Sequence, residues 1–391
     1  MLTRPCWVEI RSQGLEDNYR LLAAIAAPHA ELLAIVKANA YGHGLEICAP
    51  PVVRAGARWL GVTSVEEGVA ARAVCPDAEI LVISGVFRGQ RAEVARHKLT
   101  VVAWEPWHLD ELESAGAAGG QIPVHLEIDT GMSRQGVGPN NMTPLLARFG
   151  GGSPLRLDGV MTHLFAADEA DGAVTRDQLA RLEAALQQVK AAGLRPAWLN
   201  AGNSAALLGG QAATIGALAA RYGMKAMLRP GLALYGLAPE FDPAFEGGAP
   251  ASLVAALERL QPVLAWKTKV VGIRAVAAGT VVGYNGTFVA TEPMKLALLA
   301  AGYGDGLDRK LGNRSSVLLR GQRAPLVGRI SMDQAVIDAT EIAGVEAGDE
   351  VVLLGSQGAE TITAFDHARA TGTIPWEVFT RIASRVVRVG I

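Results

Sequence analysis

Leu32-Leu-Ala-Ile-Val-Lys37 is a short apolar run that stops on a cation, and the same construction recurs down the chain. Further runs are Trp59–Val62, Ile80–Ile83, Leu99–Ala103, Val124–Ile128, Leu155–Thr162, Ala197–Leu199 and Ala226–Leu228. Helix-like segments separate them. Ser64–Val74 opens with Ser64 and Glu67 at capping-box spacing. Thr175–Ala192 carries Leu179, Leu182, Leu186 and Val189 along one face. Strands joined by helical crossovers pair in parallel, because a hairpin cannot join parallel neighbours. Eight such units predict an α/β fold built on a TIM-type (β/α)8 barrel.

After Tyr235 the pattern changes. Ala238 to Pro250 is rich in Pro, Gly and acidic residues and reads as a linker or surface insertion, followed by a short helix at Ser252–Leu260. Beyond it Val263–Val276, Lys295–Ala300, Val317–Leu319, Ala335–Ile337 and Glu350–Leu354 are separated by glycine turns without long crossovers. These predict a mainly antiparallel C-terminal β-domain with small helices near Ala364–Ala370 and Pro375–Ala383. The expected division is a strand in residues 1–10 packing with the C-terminal domain, a barrel over 11–250, and a β-domain over 251–391.

Composition narrows the function. With 36 Lys+Arg against 38 Asp+Glu among 391 residues, the net charge of −2 argues against coating nucleic acid or anionic lipid. Cys6, Cys48 and Cys75 are odd in number and lack zinc-ligand spacing, which fits a reducing compartment and no metal site. Glu9 and Arg11 interrupt the apolar stretch that a signal peptide needs. Trp198–Ala220 is uncharged, but its asparagines and glycines exclude a membrane span. A soluble, cytoplasmic protein is the expectation.

Barrel enzymes place their chemistry where strands end. Lys37 follows the first run, Arg134 lies in the loop after Val124–Ile128, and His163 ends Leu155–Thr162. Ser204 and Arg229 come after later runs. Singly, each has an ordinary explanation as a solvated strand end or a structural donor. Together they would converge on one rim.

Ala34-Ile-Val-Lys-Ala-Asn-Ala-Tyr-Gly-His-Gly44 resembles the lysine motif of alanine racemases, fold-type III enzymes that use pyridoxal phosphate (PLP). The resemblance continues through Glu127-Ile-Asp-Thr-Gly-Met-Ser-Arg134, Met161-Thr-His-Leu-Phe165, Asn203-Ser-Ala205 and Arg229-Pro-Gly-Leu-Ala-Leu-Tyr-Gly236. Gly283-Tyr284-Asn, Gly302-Tyr-Gly-Asp-Gly306 and Gly328-Arg-Ile-Ser-Met-Asp-Gln334 complete it, in family order.

The resemblance implies roles. Lys37 would hold PLP covalently and, once displaced by substrate, serve as base on one face of the α-carbon. A lysine ordinarily titrates near ~10.4, so a neutral amine at pH 7 needs roughly three units of help from burial and neighbouring cations. Arg229 would face the pyridine nitrogen; having only donors, it would keep that nitrogen an unprotonated acceptor and weaken the electron sink. Tyr284 would reach the partner subunit's active site as the opposite base, with His163 and Arg229 as relay. Tyr41, Ser204, Gly231 and Leu232 would cradle the phosphate, and His163 would also contact the cofactor. Arg134 would touch both cofactor and substrate carboxylate, with Met332 and Asp333 of the partner at that carboxylate and Tyr303 lining the entry. A homodimer follows.

Two positions depart from the family. Glu127 stands where many members carry a carbamylated lysine, and glutamate is already an anion, though shorter. Trp376 stands where a tyrosine usually reaches the cofactor phosphate, and indole offers only a donor. The expected activity is conversion of L-alanine to D-alanine for peptidoglycan. The alternatives are a broader racemase acting on serine, for example, and a non-catalytic PLP-homeostasis barrel protein, which normally lacks the second domain.

Overall fold

The computed structural model describes residues 4–113, 120–169, 171–242 and 250–391. They form two compact units. One comprises the segment up to Ser12, Tyr41–Ile47 and Pro262–Ile391; the other comprises Gln13–Ala40 and Cys48–Gln261. Two segments therefore group differently from the expected division. The helix Ala251–Arg259 belongs with the barrel, where Ser252 Oγ donates to the Leu208 carbonyl at 2.7 Å. Tyr41–Ile47 groups with the C-terminal sheet, where Arg388 Nε donates to the Gly42 carbonyl at 3.0 Å. Most of the expected linker, 243–249, lies outside the described residues.

In the first unit, β1 (Cys6–Ile10) pairs antiparallel with Leu264–Val276 and parallel with Val387–Gly390. The long strand Leu264–Val276 also pairs antiparallel with Met294–Leu299 and Glu350–Gln357. Its burial alternates at the start, as one covered sheet face requires. The helix Ala364–Thr371 has a full capping box between Thr363 and Asp366.

The second unit is a closed parallel barrel. Its strands are β2 (Glu31–Ile35), β3 (Trp59–Val62), β4 (Glu79–Val82), β5 (Thr100–Ala103) and β6 (Ile122–Glu127). The circle continues through β7 (Leu155–Met161), β8 (Trp198–Asn203) and β9 (Lys225–Arg229). All eight sequence runs are strands. Closure comes from β9 meeting β2, with Glu31 opposite Met227 and Leu32 opposite Leu228. Two glycines make room for bulk inside: a Cβ on Gly61 would sit 2.5 Å from Ile35 Cδ1, and one on Gly159 within 2.7 Å of the His125 ring. His125 is fully buried beneath Trp59, its centroid 6.2 Å away.

The helix Ala173–Ala191 buries Leu179, Leu182, Leu186 and Val189, the stripe its periodicity predicts, and adds Gln178 to it. The helix Val65–Val74 is capped by Ser64, which accepts from Glu67 N at 3.3 Å. The reciprocal half of the expected capping box is not formed. Glu67 turns its carboxylate instead to Thr63 N at 2.8 Å and Asn39 N at 3.3 Å. Two outside donors satisfy it better than one local one. Among the described residues no helix is long and apolar enough to cross a membrane, and no cluster of His, Cys, Asp or Glu could hold a metal ion.

Burial also makes the fold pH-sensitive. His108 Nδ1 accepts from the backbone N–H groups of Trp104 and Glu105, a role that only neutral imidazole can fill. Burial brings its pKa from 6.5 down to about 4, and burial does the same for His367. As pH falls through 6.5 the unfolded chain takes up protons that the folded chain refuses until about pH 4. Stability therefore declines across that window. The melting temperature should fall from pH 7 to pH 4, and His108→Gln should make the fall shallower; a flat profile would contradict this account.

Candidate active site

Parallel strands in a closed barrel end on one rim, so residues distant in sequence meet there. Lys37 begins two residues beyond β2, Glu127 is the last residue of β6, His163 lies just past β7, and Arg229 is the last residue of β9. Ser204 follows β8 directly and is buried.

Arg229 is the most constrained member, only 5% exposed. Its Nη1 donates to Asn200 Oδ1 at 2.6 Å and to the Asn200 carbonyl at 3.0 Å. Its Nη2 donates to the Thr162 carbonyl at 2.9 Å and meets His163 Nδ1 at 3.1 Å. Because a guanidinium can only donate, His163 Nδ1 must be the acceptor there, and the imidazole is neutral. Burial first, then the charges of Arg229, Arg134 and Lys37, hold the His163 pKa down to about 3.

Lys37 feels the same crowding. Burial chiefly, with Arg134 and Arg229 beside it, pushes its pKa below the ordinary lysine value, while Glu67 and Glu127 oppose the shift. This is how a protein makes an amine nucleophilic near neutrality.

The loop that carries Arg134 is tightly closed. Val137 N donates to the Glu127 carbonyl at 2.8 Å and Asp129 N to the Val137 carbonyl at 3.1 Å. Asp129 Oδ1 accepts from Gly131 N and Ser133 N. Gly136 is obligatory, with φ +111° and a would-be Cβ 2.5 Å from Asp129 N. Glu127 is 1% exposed, and burial raises its pKa despite nearby Gln135, Arg229 and Arg134. Its carboxylate accepts from Gln135 Nε2, which also donates to the Ile83 carbonyl at 3.2 Å. Among the described contacts there is no ion pair between Glu127 and Arg134, which is exposed.

At the phosphate end proposed from sequence, Ser204 Oγ accepts from Gly231 N at 2.9 Å and more weakly from Ala233 N at 3.4 Å. Leu232 opens the short 3-10 turn that follows. Asn203 caps the helix Ser204–Leu208 and donates to the Leu164 carbonyl.

The other expected residues belong to the first unit. Tyr41 is buried, Trp376 is half-buried on the helix Pro375–Thr380, and Tyr284 is 65% exposed in the turn Tyr284–Gly286. Tyr303 and Met332 are also exposed. Asp333 directs its carboxylate to Arg385 Nη2 at 2.8 Å.

Two positioning residues escaped sequence reading. Asn200 directly follows the apolar run Ala197–Leu199 within β8, and a buried amide there is the visible trace of a partner. Gln178 sits on the apolar stripe of its helix; it donates to Thr130 Oγ1 and the His163 carbonyl, both at 2.9 Å, and accepts from Phe165 N.

With this geometry in view, likeness to known proteins is specific. A family model, "Alanine racemase, N-terminal domain", matches residues 10–239, and "Alanine racemase, C-terminal domain" matches 263–390. An alanine racemase of Symbiobacterium thermophilum is 40% identical over 387 residues, covering 98% of this chain and 97% of its own. The crystal structure of alanine racemase from D-cycloserine-producing Streptomyces lavendulae gives a TM-score of 0.88 at 33% identity, covering 100% of this chain and 98% of that one. That of the Bartonella henselae enzyme, described with covalently bound pyridoxal phosphate, gives 0.82 at 28% identity and 99% coverage of both.

The cation crowding has a direct test. The His163 ring should stay neutral down to pH 5 in nitrogen-15 NMR, and Arg229→Leu should move its titration upward. An unsubstituted chain whose His163 titrates near 6.5 would refute the electrostatic picture.

Proposed function

This chain belongs to the alanine racemase family, and from that premise we propose that it interconverts L- and D-alanine with PLP by a two-base mechanism. The observation that carries the reading is a half-buried Lys37 amine, its pKa depressed by desolvation and two arginines, on the same rim as Arg229 and His163. The donor set suits PLP. A half-buried amine can bond covalently to its aldehyde, Arg229 would present a donor-only group to an unprotonated ring nitrogen, and Ser204, whose oxygen accepts from Gly231 N, keeps its hydroxyl hydrogen for the phosphate. When bound, PLP supplies an electron-withdrawing ring that acidifies the substrate α-proton.

The chain's residues do the rest. Lys37 takes or gives the proton on one face of the α-carbon. Tyr284, contributed by a second copy of the chain, does so on the other. Its exposure, with that of Met332 and Tyr303, supports a role toward a partner, and the working unit is a homodimer. His163, neutral through burial and its bond from Arg229, has Nδ1 occupied as an acceptor and its Nε2–H left to donate to the tyrosine oxygen. Arg229 itself keeps its proton, which limits stray protonation at the cofactor. Arg134 binds the substrate carboxylate, helped by the backbone amide of Met332 and by Asp333 of that second copy, with Tyr303 at the entry. Tyr41 and Leu232 complete the phosphate side, where Trp376 replaces the usual hydroxyl.

Glu127 takes the place of a carbamate. Since its carboxylate reaches Gln135 rather than Arg134, its influence on Arg134 passes through the shared loop and through charge. The product would feed peptidoglycan synthesis in the cytoplasm.

Two experiments test this. Borohydride treatment of the PLP-loaded protein should fix the cofactor on the peptide containing Lys37; recovery on a different peptide would overturn the assignment. In D2O, Tyr284→Phe should abolish net racemisation while D-alanine still exchanges its α-proton through Lys37 and L-alanine exchange collapses. Loss of a general base costs about 10²–10⁴ in rate. Equal effects on both enantiomers would sink the two-base scheme.

A further inference from the structure

Lys37 is followed by a backbone segment that L-residues ordinarily avoid. Ala38, Asn39, Ala40 and Tyr41 have φ of 51°, 53°, 55° and 53°, a left-handed turn of four consecutive non-glycine residues. Left-handed residues normally occur singly, because Cβ crowds the following carbonyl. Two of these four are alanines, whose side chains offer no compensating hydrogen bond. The turn is closed at its start by Ala40 N donating to the Val36 carbonyl at 2.8 Å.

The side chain bonded across to this turn is Glu67. One carboxylate oxygen accepts from Asn39 N at 3.3 Å and the other from Thr63 N at 2.8 Å. Glu67 itself stands on the first turn of the helix Val65–Val74, whose start is fixed by the Ser64 cap. The carboxylate therefore bridges the segment after β2 to the segment after β3. It does so at the expense of the capping box its position would otherwise complete. We propose that Glu67 is a positioning residue that holds the left-handed turn and so fixes the direction in which Lys37 leaves β2.

Residue chemistry makes the proposal discriminating. A carboxylate supplies an acceptor oxygen to each N–H. Glutamine supplies one, and alanine none. Glycine at position 38 removes a Cβ from the turn, so a turn relieved by Ala38→Gly needs the tether less.

The inference rests on Lys37 being the attachment point for PLP, and the experiment separates the two. The full-length apoprotein is titrated with PLP, following visible absorbance, and the fraction fixed on Lys37 by borohydride is counted; thermal melting of each apoprotein is the control. E67A should bind PLP at least tenfold more weakly, with melting within a few degrees of the unsubstituted chain. E67Q should fall between them. Adding A38G to E67A should recover most of the lost affinity, a rescue that mere support of the helix start would not produce. Unsubstituted affinity in E67A, or a folded double variant with no recovery, overturns the proposal. If E67A does not fold, E67Q alone decides: unchanged affinity and labelling refute it. Should the unsubstituted chain fail to take PLP on Lys37, the functional reading falls, and this inference with it.

Discussion

One buried guanidinium organises the rim. Arg229 ends β9 and binds Asn200 within β8 and the carbonyl of Thr162 just past β7, so a single planar group ties three successive strands together. A charge so enclosed is tolerable only when its donors are matched, since an uncompensated one would cost several kcal/mol. Asn200 and two carbonyls provide that matching. The same guanidinium bears on its neighbours: His163 must present a lone pair to it, and it adds to the burial and the Arg134 charge that disfavour the Lys37 amine as a cation.

The fold was largely legible because the barrel's signal is repetition. Eight apolar runs end close to where eight strands end, and the polar residues that follow them share a rim because parallel closure leaves no other arrangement. What periodicity could not convey was grouping. Tyr41–Ile47 continues directly from the lysine segment yet packs with the C-terminal sheet, and no local pattern distinguishes that from a barrel loop. The helix Ala251–Arg259 is the opposite case, lying after an apparent linker but docked on the barrel through Ser252.

The candidate site was legible in its cations and obscure in its supports. Lys37, Arg134, His163 and Arg229 announce themselves by falling at strand ends. Asn200, Gln135 and Gln178 act through neutral amides, which look in sequence like ordinary polar residues. Glu67 stands at capping-box spacing from Ser64, yet its carboxylate takes Thr63 N and Asn39 N instead. A capping-box spacing specifies which local N–H is near, and a distant N–H from another strand end can win because tertiary proximity is absent from a local rule.

The barrel's closing seam has a kinetic meaning. Glu31 and Leu32 must find Met227 and Leu228 across nearly the whole unit before the circle is complete, and contacts of such sequence separation are slow to form. Arg229 ends one strand of that seam and Lys37 lies two residues past the end of the other. Their mutual repulsion exists only in the closed circle, where hydrophobic burial of the staves offsets it. The reactive amine is thus a property of the closed circle: the burial and the Arg229 neighbour that depress it both require β9 to lie beside β2.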